Sequence, residues 1–444
     1  MERQQEYVLR TVEERGIRFV QLWFTDVLGT PKSFSITPAE VENALAEGMT
    51  FDGSAIDGFS RVQESDVLAK PDPQTFQILP IRSGGPATAR VFCDITDLDG
   101  QPFGGDPRNV LRRVLAKGRE RGYSFFAAPE IEYFYFADSD TETPPRPLDK
   151  GSYFELSVSD VTTDLRKQTV LTIEEMGIPV EYSQHEDSPS QHEIDLRHTD
   201  AMTMADSVMT VRLMVKEIAQ ERGVYATFMP KPISGVQGSG MHTHFSLFEG
   251  ETNAFHDPGD PDGLSKVAKG FIAGLLRHAP EITAATNQWV NSYKRLVVGY
   301  EAPVYVAWAR NNRSAVINVP HSKRGRADST RIEYRAPDPA CNPYLAFAVV
   351  LAAGLKGIEE GYDLPDGVTD NLYRLSPEEL GARGIAALPG NLNEAVDAME
   401  ASVLMAETLG DHVFEWFIRN KRAEWSEYKT HVSQFELDRY LPTL

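Results

Sequence analysis

The chain has 444 residues, of which 65 are acidic and 44 are basic, and its formal net charge is −21. This charge argues against a general nucleic-acid binder, whose affinity would come from a basic surface. A hydrophobic content of 41% and a charged content of 25% are those of an ordinary water-soluble globular protein. The length predicts two domains of unequal size.

We expect neither a membrane span nor a secretory signal in this chain. The first residues, MERQQEYVLRTVEERG, are charged and helical in pattern, unlike the apolar centre of a secretory signal. The longest apolar run, residues 345–355, is shorter than the ~18–20 residues of a membrane span. Cys93 and Cys341 are the two cysteines, and a reducing compartment is the simpler home for them. We therefore expect a cytoplasmic protein with no membrane partner.

In chain order, the first predicted unit is a small α+β domain over residues 1–104. Its predicted elements are a helix at 2–15, strands at 18–24 and near 32–36, a helix from Thr37 to about Gly48, and strands at 76–81 and 89–94. An acidic loop, FDGSAIDGF, lies between them and carries Asp52 and Asp57. A plain surface turn is the alternative for this loop, because Gly53 and Gly58 fit a tight turn.

The second predicted unit covers residues 105–444 and opens with PEIEYFYF at residues 129–136. Its aromatic and β-branched residues favour a strand. Glu130 and Glu132 share one face of that strand, since side chains alternate with a period of two. Like charges on one buried face are costly unless a cation lies between them. A strand with one wet face is the alternative for this motif alone.

The spacing of two residues recurs at His242 and His244 in GSGMHTHFSL, and at Glu333 and Arg335 in TRIEYRA. Predicted inward-facing groups are Glu130, Glu132, Glu186, Glu193, Glu333 and His242. Five carboxylates cannot be held together without divalent cations, and hard oxygen ligands favour Mg²⁺ or Mn²⁺ over zinc. With Arg295, Arg313, Arg331 and Arg335 nearby, this is a setting for phosphoryl transfer.

Common nucleotide motifs are missing. The sequence has no GxxxxGK[ST] loop, and Gly238-Ser239-Gly240 lacks the third glycine of a dinucleotide fingerprint and precedes a predicted strand. Dinucleotide and P-loop folds are therefore excluded.

The motifs FDGSAIDGF, PEIEYF, QHEIDLR, FMPKP, GSGMHTHFSL, NSYKRLVVGYEAP, NRS, RIEYRAPDPACNPY and NLYRLSPEE occur in this order. In this combination the chain resembles the glutamine synthetase family, of the bacterial type I class, over essentially its whole length. The resemblance implies an α+β fold. A β-grasp-like domain at 1–104 would precede a catalytic domain at 105–444, with a curved antiparallel sheet flanked by helices.

The resemblance also implies ATP-dependent ligation. In that family the γ-carboxylate of L-glutamate takes the γ-phosphate of ATP, and a nitrogen nucleophile then displaces phosphate from γ-glutamyl phosphate. The implied cofactors are two or more Mg²⁺ or Mn²⁺ ions, with ATP as co-substrate. The implied metal ligands are Glu132, Glu186 and Glu193 for one ion, and Glu130, His242 and Glu333 for the other.

The resemblance assigns the remaining site residues by role. Substrate-binding residues would be Glu132, Tyr153, Glu186, Gln237, Gly238, His242, Arg295, Glu301 and Arg335. Nucleotide-binding residues would be His244, Ser246, Arg313 and Arg331. Catalytic residues would be Asp52, Glu301 and Arg313, with Asp52 as the base that takes a proton from ammonium. Family members are dodecamers of two hexameric rings, so Asp52 would act in the active site of a neighbouring subunit.

Four departures from the family pattern lie near the small-substrate pocket and the phosphates. Ala55 replaces a serine, Gln237 replaces an asparagine, residues 184–190 read QHEDSPS, and Asn318 replaces an arginine, for which Lys323, Arg324 or Arg326 could substitute. Loss of the hydroxyl at Ala55 weakens hydrogen bonding to a small cation and leaves more room. A larger amine then becomes an alternative nucleophile.

Three functions therefore remain open from the sequence. They are a glutamine synthetase that uses ammonia, a γ-glutamylpolyamine or other γ-glutamyl-amine synthetase, and an inactive scaffold or regulator. The complete set of metal ligands favours an active enzyme. Tyr373 lies in NLYRLSPEE, where some family members are adenylylated, although an ordinary loop tyrosine is the alternative.

Overall fold

The structure is a computed structural model, and it describes residues 2–56, 58, 66–80, 85–156, 161–310, 312–321 and 327–444. The first part of the chain forms α1 (Glu2–Glu14), β1 (Phe19–Thr25), β2 (Pro31–Ile36), α2 (Val41–Glu47), β3 (Met49–Asp52), β4 (Asp66–Pro71), β5 (Gln77–Ile78) and β6 (Thr88–Thr96). These strands make a six-stranded sheet in the order β2-β1-β6-β4-β3, with β5 also paired to β6.

This first sheet is mixed. β1 and β6 run parallel, whereas β1 and β2, β4 and β6, and β3 and β4 are antiparallel. Helices α1 and α2 cover it, and Val8, Val12, Val41 and Leu45 from these helices are buried with the strand side chains. The predicted small α+β unit is thus present, although Thr37 makes no side-chain cap and a 3-10 turn, Pro38–Glu40, precedes α2.

The second part of the chain is larger. Its strands are β7 (Ser124–Phe136), β8 (Val180–His185), β9 (Gln191–Leu196), β10 (Thr199–Asp200), β11 (Tyr225–Thr227), β12 (Thr243–Glu249), β13 (Thr252–Asn253), β14 (Tyr305–Ala309), β15 (Ala315–Asn318) and β16 (Ile332–Tyr334). Its helices are α3 (Pro107–Glu120), α4 (Val161–Glu175), α5 (Ala201–Glu221), α6 (Lys266–Thr286), α7 (Ser292–Arg295), α8 (Pro343–Glu360), α9 (Pro377–Ala382), α10 (Leu392–Glu400), α11 (Val403–Leu409), α12 (Asp411–Thr430) and α13 (Gln434–Tyr440).

The ten strands of this part form one sheet in the order β14-β15-β16-β12-β7-β9-β8, with β10 and β11 also on β7 and β13 on β12. It is antiparallel except for the β14–β15 pair. Strand β7 is the centre, because its first half pairs with β12 and its second half with β9. The expected α+β fold with a largely antiparallel catalytic sheet is confirmed.

The two faces of this sheet differ in chemistry. Phe125 of β7 and Phe245 of β12 stack with ring centroids 5.1 Å apart, and Phe245 packs edge-on against Phe347 of α8. His244 and Ser246 alternate with Phe245 along β12 and therefore point to the opposite face. Burial of the aromatic face against helices holds the sheet in place, so the other face is left for polar side chains.

A buried arginine joins the two parts of the chain. Arg108 in α3 lies 2.9 Å from Asp72 and 3.0 Å from Asp206, and it also pairs with Asp94. A buried charge is tolerated when ion pairs and hydrogen bonds surround it. Among the described helices, none is long and apolar enough to cross a membrane.

Helices α6 and α8 cross closely at glycine. A Cβ atom at Gly357 would overlap the carbonyl oxygen of Gly270 and the Cα atom of Gly274. We therefore expect Gly357→Ala to overpack this crossing, to lower the free energy of unfolding by about 1–3 kcal/mol and to lower Tm by about 2–10 °C. Thermal unfolding followed by circular dichroism measures this. Gly381→Ala is the matched control, because a Cβ there meets no atom within 4 Å; equal Tm values for the two variants would contradict the expectation.

Candidate active site

The strand register brings the predicted polar residues to one region of the sheet. Glu132 of β7 lies directly opposite Glu193 of β9, and His244 of β12 lies directly opposite Glu333 of β16. Glu186 follows the end of β8, and His242 immediately precedes β12. The sheet thus supplies carboxylates from separate segments of the chain to one surface.

Apart from His244, these side chains line a cavity of about 690 Å³. Its walls include thirteen of the predicted site residues, namely Glu130, Glu132, Tyr153, Glu186, Glu193, Gln237, Gly238, His242, Arg295, Glu301, Arg313, Glu333 and Arg335. The shared face expected for Glu130 and Glu132 is therefore present, and residues separated by about 200 positions in the chain meet there.

One group of residues in this cavity has the composition of a metal site. Ligand atoms of Glu130, His242 and Glu333 all lie within 4.8 Å of one another. His242 Nδ1 is 3.3 Å from Glu130 and 3.9 Å from Glu333. Burial and the nearby Arg335 lower the pKa of His242 to about 4, so its ring is neutral at physiological pH, as a metal ligand must be.

A second group consists of Glu132, Glu186 and Glu193. Gln184 Nε2 bridges two of them, donating to Glu186 Oε1 at 2.8 Å and to Glu193 Oε1 at 3.0 Å. Burial raises the pKa of all three carboxyl groups. Repulsion between Glu132 and Glu186 raises the pKa of Glu132 further. The charge of Arg295 acts to lower the pKa of Glu132 but does not outweigh burial and repulsion, and a divalent cation among the three carboxylates would supply the further positive charge.

Two buried arginines form the floor beside these groups. Arg295 Nη1 donates to the carbonyl of Ala336 at 2.7 Å, and its Nη2 donates to the carbonyl of Arg335 at 3.1 Å. Arg335 in turn pairs with Glu333. Gly238 lies against this floor, and a Cβ atom there would overlap the carbonyl oxygen of Pro230. The guanidinium groups are therefore fixed in place before any ligand binds.

The mouth of the cavity is bounded on one side by contacts of the half-buried Tyr153 and the exposed Glu301 and Arg313. Tyr153 donates its hydroxyl to Glu301 Oε2 at 2.9 Å, and Arg313 Nη1 lies 3.8 Å from the same oxygen. Glu301 has φ of +52°, an unusual conformation for a residue with a side chain. Tyr373 donates to the carbonyl of the next residue, Ala302, at 2.6 Å.

A second cavity, of about 460 Å³, lies next to the first on the same face of the sheet. His244, Ser246 and Arg331 line it, together with Phe126 and Phe248. His244 Nε2 is 2.8 Å from Glu130 Oε1, and Arg331 Nε donates to His244 Nδ1 at 3.3 Å. Four residues, Glu130, Tyr182, Asn318 and Glu333, line both cavities. The two cavities therefore meet at the Glu130–His242–Glu333 group.

Some predicted residues lie elsewhere. Asp52 is exposed at the end of β3, where its Oδ1 accepts hydrogen bonds from the amide and hydroxyl of Ser54, and it is not among the residues that line either cavity. Asp57 and the candidate phosphate cations Lys323, Arg324 and Arg326 lie outside the described residues.

The sequence interpretation missed several residues that contact the carboxylates. Gln191 Nε2 donates to Glu132 Oε2 at 2.9 Å, and Asn318 Nδ2 donates to Glu333 Oε2 at 2.6 Å. Asp195, with a pKa raised to about 7 by burial and the charge of Glu130, lies directly opposite Glu130. For Gln191 and Asp195, the signal was their spacing of two residues from Glu193 in QHEIDL.

Comparison with known proteins agrees with this geometry. Residues 104–440 match the model of the glutamine synthetase catalytic domain, and residues 16–98 match that of the glutamine synthetase β-grasp domain. Proteins named glutamine synthetase are 55% identical in Mycolicibacterium smegmatis (99% of this chain, 100% of that protein) and 48% identical in Halobacterium salinarum (98% and 96%). A solved structure titled "GmaS/ADP complex-Conformation 1" has a TM-score of 0.87 at 31% identity (98% and 99%).

The fold, the carboxylate groups and these similarities define the class: the chain belongs to the glutamine synthetase family, whose enzymes use ATP and divalent metal ions. The full-length relatives support one activity in particular, the ATP-dependent glutamate–ammonia ligase reaction that makes glutamine. The alternative activity, that of a γ-glutamyl-amine synthetase, is not better supported by these relatives than the glutamate–ammonia ligase activity.

The carboxylate cluster predicts how metal binding depends on pH. Glu132, Glu186 and Glu193 have pKa values above the ordinary 4.5 in the folded chain. Their contribution to stability is therefore present at low pH and is lost as pH rises, unless a cation binds the ionised groups. We expect Mn²⁺ to raise Tm more at pH 8 than at pH 5.5, measured by differential scanning fluorimetry. The difference between the Mn²⁺-induced rises in Tm at the two pH values should be smaller in Glu193→Gln. Equal rises in Tm at pH 8 and pH 5.5 in the wild-type protein would contradict this expectation.

Proposed function

We propose that the two cavities form the active site of a glutamate–ammonia ligase, in which glutamate and ATP meet at the Glu130–His242–Glu333 group. One observation carries this proposal: Glu130, Tyr182, Asn318 and Glu333 line both cavities. A cavity with two fixed arginines suits an amino acid, and a cavity with aromatic walls suits a nucleotide base. A phosphoryl group can pass between two ligands when their binding sites share a wall.

The metal ions are part of this proposal. Glu132, Glu186 and Glu193 would hold one ion and Glu130, His242 and Glu333 another, and Mg²⁺ or Mn²⁺ suits these oxygen-rich sets. When bound, such ions would neutralise the charge on the phosphate that is transferred. The raised pKa values of the first set and the neutral ring of His242 in the second support the assignment.

Other side chains would bind glutamate, the nucleotide and the transferred phosphate. Arg295 and Arg335 bind the glutamate carboxylates, with Gln237 and Gly238 beside them. In the other cavity His244, Ser246 and Arg331 bind the nucleotide. Arg313 neutralises the phosphate at the mouth, where it adjoins Glu301. Preorganised charges of this kind stabilise the transition state without reorganising during the reaction.

The nucleophile is assigned to the mouth of the cavity, where Tyr153, Glu186 and Glu301 converge. An acidic pocket attracts ammonium, and a carboxylate base must then remove its proton. We assign that base to Asp52 of a neighbouring subunit, because Asp52 is exposed and outside the cavities of its own chain. The proposed assembly is a cytoplasmic dodecamer of two hexameric rings, with domain limits at 1–104 and 105–444.

The nucleophile can be tested directly. Purified protein with glutamate, ATP and Mg²⁺ receives ammonium, putrescine, spermine, ethanolamine or methylamine in turn, and phosphate release and the γ-glutamyl product are measured. We expect kcat/KM for ammonium to exceed that for every amine. A preference for one amine of more than about tenfold, or about 1.4 kcal/mol of transition-state stabilisation, would identify an amine ligase instead. No phosphate release with any donor would indicate an inactive homologue.

The placement of Asp52 gives a second test. Asp52→Asn is expected to lower kcat for glutamine formation by about 10²-fold or more while leaving glutamate binding unchanged. Glu333→Gln is expected to be inactive through loss of the metal site. If Asp52 serves the neighbouring subunit, random co-assembly of the two variants restores about a quarter of the sites. The two variants carry different tags, mixed oligomers are purified through both tags, and their glutamine-forming activity is measured. Mixed oligomers with no recovered activity would indicate that Asp52 acts in the active site of its own subunit.

A further inference from the structure

A second polar cluster lies behind the mouth of the cavity, outside the proposed metal sites. Asp149, His185 and His192 bring ligand-type atoms within 4.8 Å of one another. His185 Nε2 is 3.1 Å from Asp149 Oδ1, and His192 Nε2 is 3.9 Å from Asp149 Oδ2. Both histidine side chains are buried. The composition is that of a metal site, so the hydrogen bonds around it must decide its role.

The partner of His192 argues against a metal ion here. Arg166 Nη1 lies 2.6 Å from His192 Nδ1, and a guanidinium can only donate, so Nδ1 accepts and carries no proton. The neutral ring then holds its proton on Nε2, the atom that faces Asp149, and a protonated nitrogen cannot ligate a metal. His185 is likewise engaged, because its Nδ1 faces the carbonyl of Glu186 at 2.6 Å.

Asp149 instead ties two segments of the chain together. Its Oδ1 accepts hydrogen bonds from the amide of Ser190 at 2.7 Å and from the amide of Gly151 at 3.0 Å, in addition to its contact with His185. Ser190 has φ of +58°, and its hydroxyl accepts from the amides of Leu148 and Asp149. Burial acts to raise the pKa of Asp149, but its hydrogen bonds outweigh that effect and hold the pKa well below its ordinary value.

The two segments that Asp149 joins both lead to the proposed nucleophile pocket. Residues 148–155 carry Tyr153, and the turn between β8 and β9 carries Glu186. His185 is the centre of the contact, since its carbonyl accepts from the amide of Phe154 at 3.1 Å and its ring faces Glu186. A Cβ atom at Gly151 would lie 2.6 Å from His185 Nε2, so this approach requires glycine.

We propose that Asp149 is a positioning residue for the nucleophile pocket: with His185, Gly151 and Ser190 it fixes Tyr153 and Glu186 at the separation that binds ammonium. This inference rests on the proposed function of the cavity mouth. The arginine floor for glutamate and the nucleotide cavity lie on other segments. Glu186 also belongs to a proposed metal set, but Gln184 Nε2 holds its carboxylate separately at 2.8 Å, so we expect loss of the clamp to affect ammonium binding most.

The test compares KM values for the three substrates. Asp149→Ala removes the hydrogen bonds that the Asp149 carboxylate accepts and leaves those to the Ser190 hydroxyl and the His185 carbonyl. Asp149→Asn keeps an acceptor for the two amides, and Gly151→Ala leaves Asp149 intact but separates the loop from His185. We expect KM for ammonium to rise by about tenfold in Asp149→Ala and Gly151→Ala and less in Asp149→Asn. The KM values for glutamate and ATP should stay within about threefold of wild type.

Controls separate positioning from folding. Gly381→Ala, which places its Cβ in open space, should leave all three KM values unchanged. Thermal unfolding identifies any variant that is not folded, and if Asp149→Ala fails to fold, Gly151→Ala and Asp149→Asn carry the test. An equal rise in all three KM values, or a loss of kcat with an unchanged KM for ammonium, would overturn the inference. A wild-type enzyme that makes no glutamine from ammonium would instead overturn the proposed function.

Discussion

The repulsion among buried carboxylates is the constraint on which the rest of this structure depends. Glu132, Glu193 and Glu333 are each less than a tenth exposed, and Glu132 and Glu193 are cross-strand neighbours. Removing one ionised carboxylate from water costs several kcal/mol unless it is paired. Arg335 compensates Glu333, but the pKa values of Glu132 and Glu193 stay raised, so the buried carboxylates are compensated unequally, and the proposed cations would bind at the less compensated ones.

Packing of the apolar face of the sheet offsets the cost of burying carboxylates on the charged face. Stacked and edge-on aromatic contacts among Phe125, Phe245 and Phe347, and the close crossing of α6 and α8, fix the strands from behind. A sheet held in this way cannot easily separate its carboxylates to relieve their repulsion. The stability of one face is therefore what concentrates negative charge on the other, and hydrogen bonds from Gln184, Gln191 and Asn318 fix the orientation of individual carboxylates.

The reactive groups differ in how rigidly they are held. Arg295 and His242 are buried and fixed by surrounding residues, whereas Glu301, Arg313 and Tyr153 meet at an exposed mouth through contacts between side chains. The clamp at Asp149 extends rigidity from the sheet to Tyr153. In the proposed reaction, the rigid part of the site would hold the charged substrates while the nucleophile enters through the more open side.

Local patterns in the sequence determined the strands at Glu130, His244 and Glu333, the pairs of residues that share a face, and the motifs that carry the family resemblance, because strand periodicity is a property of neighbouring residues. The tertiary structure alone decided that Gln184, Gln191 and Asn318 contact the carboxylates, that Asp52 does not line the cavities of its own chain, and that Arg166 donates to His192 Nδ1. These facts depend on which strands become neighbours and on which side-chain atoms then face each other. Distances across a sheet join residues far apart in sequence, and no local pattern contains them.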